Sequence, residues 1–350
     1  MNEQKITIKN RVISSQNPVF ICAETGVTCN YDINISKRLI DIVAEAGADA
    51  IKFIFWFPDE LLADKNMTYT YDTVYGPRTE NFFTMVSKLR FSFEEWVELK
   101  AYADQKGILL FSTINTPSGI VYARKLNLDA YKISSWDFNY IDLWEELAKD
   151  GKPIIVDTGT VDNKEFQKVA DIVKRCGAPL LPVHCFHTDN PKEMNMYSIP
   201  FLKEFYNTQV GFSADDTSFH RDLMAVALGA TFMEKRLTLS RKLPGHHHIL
   251  SLEPVEFIDY VKIIRNAQIS LGVKELMPSQ ADLEARKKYF RSLAAAQSLS
   301  VGTFLEKHML VAKRPGYGIS PEYIDKFVGK KLARALRPNQ LIEWDDIAKD

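Results

Sequence analysis

Ionisable and hydroxyl residues stand at or just beyond the ends of eight short apolar runs. Glu24 closes PVFICAE, Lys52 interrupts AIKFIFWF, and Thr113 ends ILLFST. AYKISS holds Lys132 and Ser135, with Asp137 just after it. Asp157 and Thr158 lie in PIIVDTG, and His184 in PLLPVHC with His187 beyond it. QVGFSA supplies Ser213 with Asp215 next in line, and TFMEKRL supplies Glu234 and Arg236. A lysine inside an apolar run must open onto a polar cavity or pair with a carboxylate, because a bare buried charge is strongly disfavoured. Lys52 and Lys132, with the hydroxyls of Thr113, Ser135 and Ser213, make a cradle for an anion such as a phosphate. Two other uses stay open. Either lysine would serve as a Schiff-base nucleophile if burial lowered its pKa, or the lysines and glutamates simply pair with one another.

These residues need a scaffold that brings eight run ends together. The near-continuous apolar character of the runs indicates strands buried on both faces, hence a parallel sheet. Each run is followed by a helical pattern such as ISKRLIDIVAEAGA or FEEWVELKAYADQKG. Eight strand–helix units predict an α/β fold, a (β/α)8 TIM barrel, which gathers its chemistry at the C-terminal ends of the strands. A doubly wound open sheet is the runner-up. KITIKNRVI reads as a hairpin closing the barrel bottom. The character changes after LGVKELMPSQADLEARKKYF, where short strands and Gly and Pro turns take over. The reading is a catalytic barrel over 1–273, a polar linker over 274–288 and a small second domain over 289–350.

Composition limits the partners. The formal net charge is −1 and there is no long basic run, which argues against nucleic acid or an anionic membrane surface. No apolar run approaches the roughly 18 residues of a membrane span, and the first residues have no apolar signal core, so a cytoplasmic protein is expected. None of the four cysteines form a Cys-x-x-Cys pair. Cys22 and Cys185, in apolar runs, are read as structural thiols.

One stretch stands out, LPGHHHILSLEP, with three of the seven histidines in a row. In an extended loop His246 and His248 would share a face, with His247 opposite. Three readings stay open for it: a loop touching sugar or phosphate, a metal site using His247 and Asp215, or a solvated loop.

At these residues the sequence resembles the sialic acid synthase family. The resemblance runs end to end, through AETGVTCNYD, EAGADAIKF, LRFSFEEWVELKAYADQKGILLFST, AYKISSWD, VALGATFMEKRLTL, LPG…SLEP and VAKRPGYGISP. It implies a TIM barrel followed by an antifreeze-like SAF domain. The implied reaction condenses phosphoenolpyruvate with an N-acylated amino sugar, of mannosamine type, with release of phosphate. It also implies a domain-swapped homodimer. Residue by residue, Glu24 matches the family's acidic residue after the first strand. Lys52, Thr113, Lys132, Ser135 and Ser213 match positions that hold phosphoenolpyruvate. Asp137 matches a residue suited to proton transfer. Arg314 matches the SAF arginine that reaches the partner's sugar pocket.

The departures fall on the metal and on the substrates. The family holds a divalent cation, Mn2+ or Mg2+, with two histidines, in SDHT and EKHF. Here these read SADD and EKRL, so Asp215 and Arg236 take both ligand positions, and a guanidinium has no lone pair to give. No metal ligand is therefore assigned. A phosphate-binding serine is Asp157, an asparagine of the sixth loop is His187, and the sugar-binding aspartate of the PGPDH loop falls on His247. The expected function is a phosphoenolpyruvate-condensing synthase with an altered acceptor and with Arg236, oriented by Asp215, in place of the metal. Glu234 joins the catalytic set beside Glu24, and a protonated His187 is expected to offset Asp157. The competing readings are a Schiff-base aldolase or lyase using Lys132 or Lys52, and a degenerate paralogue that binds a sugar without catalysis.

Overall fold

The computed structural model describes residues 4–348. The chain forms two compact units, Met1–Gly272 and Val273–Asp350. The first opens with the antiparallel hairpin β1 (Ile6–Ile8) and β2 (Arg11–Ile13). Barrel strands β3 (Phe20–Glu24) and β4 (Ala50–Ile54) follow, and then a second antiparallel hairpin, β5 (Thr68–Thr73) and β6 (Gly76–Asn81). The barrel continues with β7 (Leu109–Thr113), β8 (Tyr131–Ile133), β9 (Ile154–Asp157), β10 (Leu180–His184), β11 (Gly211–Ser213) and β12 (Phe232–Arg236). These eight parallel strands close in the order β3-β4-β7-β8-β9-β10-β11-β12, with β12 returning to β3. Closure excludes the doubly wound open sheet.

Strand period explains how the run ends become one site. Alternate residues of a barrel strand face inward. Phe20 and Cys22, Ala50, Leu109 and Phe111, Ala130, Ile155, Leu181 and Val183, and Phe232 share one buried cluster with Ile6, Ile8 and Ile13 of the first hairpin. That cluster fills the lower barrel, and the hairpin plugs it. Two residues further along the same inward rows come Glu24, Lys52, Thr113, Lys132, Asp157 and Glu234. The intervening residues, such as Ile21, Ile51, Leu110, Ile133, Val156 and Met233, pack outward in the larger cluster with the helices. Lys235 shows the same rule from the other side. It points out of the barrel and is held by Asp222 at 2.9 Å and Asp216 at 3.0 Å, with Tyr260 OH donating to Asp222 at 2.8 Å.

The second unit has its own core of Leu293, Leu299, Leu305, Leu310, Phe327, Leu332, Leu336 and Ile342, around β13 (Ser292–Ala295) paired with β14 (Leu310–Lys313). The polar stretch expected as a linker contains a ten-residue helix, Gln280–Tyr289, with Ser279 as its N-cap. No helix among the described residues is long and apolar enough to cross a membrane.

Candidate active site

Register places the charges side by side at the barrel mouth. Glu24 pairs across the ladder with Lys52 on one side and Arg236 on the other, and Ser213 lies beside Glu234. The result is an alternating chain of five charged groups. Lys52 Nζ lies 2.5 Å from Glu24 Oε2 and 2.9 Å from Glu234 Oε1. Lys132 Nζ lies 2.9 Å from Glu234 Oε2 and 2.6 Å from Asp157 Oδ1. Both lysine side chains are buried, and Glu234 bridges them. Burial alone would lower the lysine pKa values. The adjoining carboxylates outweigh it and hold both above the ordinary lysine range, so both are ammonium ions. Burial also pushes Glu234 up, but the two ammonium groups override it and keep it ionised.

Glu24 is fixed from behind as well, since Gly26 N–H donates to its Oε1 at 2.8 Å. A Cβ on Gly26 would meet that same oxygen at 2.7 Å and would collide with Ile54, so the chain can fold back onto Glu24 only with glycine there.

Arg236 sits on the rim of this chain of charges. Its Nε donates to Asp215 Oδ1 at 2.7 Å and its Nη2 to Oδ2 at 3.0 Å, a two-pronged ion pair. Its Nη1 lies 3.9 Å from Glu24 Oε1. Burial raises the Asp215 carboxyl, but the guanidinium overrides that and holds it below the usual range. These two residues stand where the resemblance puts metal ligands, and they do not fit a cation. One is a guanidinium and the other is occupied by it. Among the described residues, no three His, Cys, Asp or Glu side chains converge to hold a metal. Of the pair read as a possible metal site, His247 and Asp215, the Asp215 carboxylate is engaged at both oxygens by Arg236.

The histidine loop is not extended. His247 has a left-handed backbone with φ 69°, and His248–Leu250 form a single 3-10 turn. His248 is buried as a brace, its Nε2 donating to Asn30 Oδ1 at 3.2 Å and its Nδ1 lying 2.7 Å from Thr238 Oγ1. His246 is buried against the rings of Tyr69 and Tyr71 on the second hairpin. Burial, then the nearby Arg236, lowers His246 to about 3 and His247 well below its ordinary value, so both are neutral. Two of the three histidines thus shape the loop, and only His247 keeps a ring nitrogen, Nδ1, buried without a hydrogen-bond partner.

Three more buried polar atoms on mouth loops lack a hydrogen-bond partner among the described residues, Trp56 Nε1 after β4, Asn115 Oδ1 after β7 and Ser218 Oγ after β11. Sequence reasoning missed Trp56 and the hairpin with Tyr69. The alternation in TYTYDT, with Gly76 at the turn, is the signal for that hairpin.

The remaining predicted residues divide. Thr113 and Ser135 are buried at the ends of β7 and β8, and Ser213 is half-buried at the end of β11. Asp137, in the short turn after β8, is raised to about 7 by burial alone. His187 does not pair with Asp157. Its ring lies 4.6 Å from that of the exposed Trp136, and Lys132 supplies the counter-charge instead. His184 Nε2–H donates to Met194 O at 2.9 Å and braces the loop after β10. Burial raises the Cys22 and Cys185 thiols, which suits structural rather than reactive sulfur. Arg314 belongs to the second unit, where its Nε donates to Tyr289 O at 2.8 Å and its guanidinium lies over the Tyr289 ring.

The chain resembles known proteins in family and fold. The model of the NeuB family matches residues 39–276, and that of the SAF domain matches residues 290–348. An uncharacterized protein of Methanocaldococcus jannaschii is 31% identical, with 99% of this chain and 100% of that protein covered. Human N-acetylneuraminate-9-phosphate synthase is 30% identical over 92% of this chain and 90% of its own. Among solved structures, the N-acetylneuraminic acid synthetase of Leptospira borgpetersenii, in complex with citrate, aligns with a TM-score of 0.72 at 29% identity. It covers 81% of this chain and 95% of that one.

Proposed function

This chain belongs to the NeuB family of sialic acid synthases, and on that premise we propose that it condenses phosphoenolpyruvate with an N-acylated amino-sugar aldehyde and releases phosphate. The observation that carries the reading is the pair of buried ammonium groups, Lys52 and Lys132, at the C-terminal mouth of a closed barrel, with Thr113 paired in register with Lys132 and Ser135 buried just after β8. That set suits the carboxylate and phosphate of the donor. The same geometry opposes imine chemistry, which needs a neutral amine, because each lysine is held charged by two carboxylates.

In this reading carbon 3 of phosphoenolpyruvate attacks the aldehyde carbon, and the aldehyde oxygen takes up negative charge. Arg236, fixed by Asp215, is the electrophile that stabilises that oxygen, so the positive charge is supplied by a side chain. Water adds to carbon 2 of the donor. The adduct expels phosphate and leaves a 2-keto acid, and the oxygen at the new bond is protonated. Asp137, raised to about 7, has the value suited to passing these protons near neutrality. Trp56 Nε1, Asn115 Oδ1 and His247 Nδ1, which lack a hydrogen-bond partner, are the polar contacts assigned to the acceptor, and His247 at the position of the PGPDH aspartate favours a sugar other than the family's usual one.

Incubating the protein with phosphoenolpyruvate and a panel of N-acylated hexosamines, and assaying both phosphate and the 2-keto acid, tests the reading. Acceptor-dependent formation of both products in equal amounts is expected. Formation of neither with any acceptor, by protein shown to be folded, contradicts it.

A further inference from the structure

The lysine cradle holds one carboxylate more than its two ammonium groups balance. Glu234 touches both lysines, and Glu24 is held by Lys52 and by the Gly26 N–H. Among the described residues Asp157 has a single ionic partner, Lys132, and its side chain is 16% exposed against 5% and 6% for Glu24 and Glu234. It is the surplus group and the most open one. Burial raises its carboxyl above the usual range. Lys132 and Lys52 pull it down and Glu234 pushes it up, and the net shift stays upward. Facing it are Lys132 from β8, Glu234 from β12 and Lys52 from β4, together with the neutral thiol of Cys185 just after β10.

We propose that an anionic donor enters the cradle by displacing the Asp157 carboxylate from Lys132, and that Asp157 takes up one proton from solvent as it is displaced. The proposal rests on phosphoenolpyruvate being the donor. A phosphate brought beside three ionised carboxylates in a buried mouth meets like charge at close range. Protonation of the surplus carboxylate removes that repulsion, frees Lys132 for the incoming anion, and turns an acceptor into a hydroxyl donor that can bond a phosphate oxygen. Glu24 stays in place because both Lys52 and the Gly26 N–H hold it, and Glu234 because it is bonded to both lysines, whereas Asp157 is held by Lys132 alone.

Calorimetric titration of phosphoenolpyruvate into the full-length protein, in two buffers of unlike ionisation enthalpy, counts the protons taken up. It is run above neutrality, where the ligand is fully ionised. The wild type is expected to take up close to one proton per phosphoenolpyruvate bound, and its affinity to fall about tenfold per pH unit. Asp157→Asn and Asp157→Ser are expected to take up almost none, and to bind with an affinity that hardly changes over the same range. Binding by the wild type without proton uptake, or uptake that persists in both variants, overturns the proposal. Absence of binding in all three folded proteins overturns the donor assignment itself, so the two failures are distinct.

Discussion

The Asp215 carboxylate and the Arg236 guanidinium meet through two parallel hydrogen bonds, of 2.7 and 3.0 Å, where related enzymes are expected to hold a cation. The pair fixes a positive charge at the edge of the barrel mouth with a defined plane and direction. Asp215 holds the fork at two points and leaves Nη1 turned toward Glu24 at 3.9 Å, and this fixed orientation suits it to meet a developing alkoxide without reorganisation.

Replacing Arg236 should therefore lower turnover more than substrate binding. Arg236→Ala is expected to lose roughly a hundred- to a thousandfold in kcat. Arg236→Lys should recover little of it, because an ammonium group cannot reproduce the two-point contact with Asp215. Steady-state kinetics on folded variants check both.

Breaking the alternating chain of charges should destabilise the barrel. Among the described residues, Glu234 is the only side chain bonded to both buried lysines. Glu234→Gln leaves the two ammonium groups under-compensated and is expected to cost about 3–5 kcal/mol. Urea unfolding, compared with Glu24→Gln, gives the difference, and the bridging position should be the costlier of the two.

Asp137 predicts a trade between activity and stability with a definite sign. Its carboxyl is raised to about 7 in the folded protein, so the ionised form is the disfavoured one there. Folding stability from this group is complete below the unfolded carboxyl range and is lost as pH rises through about 7. Asp137→Asn should unfold at higher temperature than the wild type above pH 7 while losing the limb of the kcat profile near that pH. A variant that keeps the limb shows that another group titrates there.

The brace under the histidine loop should act on the acceptor. His248→Ala removes the bridge between Thr238 and Asn30 and frees the segment that carries His247. A rise in the acceptor KM is expected, with a smaller change in kcat and little change in the phosphoenolpyruvate KM.

The plug offers a control in which stability and chemistry separate. Ile8 is fully buried beneath the barrel, at the end remote from the charged mouth. Ile8→Ala is expected to cost about 2–5 kcal/mol with kcat unchanged at low temperature.

Much of this site is legible in the sequence because period two is so regular in barrel strands. Cys22 to Glu24, Ala50 to Lys52, Ala130 to Lys132 and Phe232 to Glu234 each step from an apolar inward residue to a charged one. A charge that interrupts such a run has few places to go except the mouth. The partners of those charges are not legible, since they depend on lateral register: that Lys132 would take Asp157, and that His187 would turn to Trp136, follows from strand stagger and loop path. The hairpin over Thr68–Asn81 is hidden because only Tyr71 along its two strands is buried, so it lacks a continuous apolar face. The His246–His248 segment has no periodicity at all, and its left-handed residue at His247 turns the expected order of faces around.

The most direct test of the central claim compares phosphate release by metal-stripped protein, with phosphoenolpyruvate and the accepted amino sugar, in EDTA and in added Mn2+. Equal acceptor-dependent release is expected in both, with near-complete loss in Arg236→Ala. Release that vanishes in EDTA and returns with Mn2+, while Arg236→Ala retains full turnover, would contradict it.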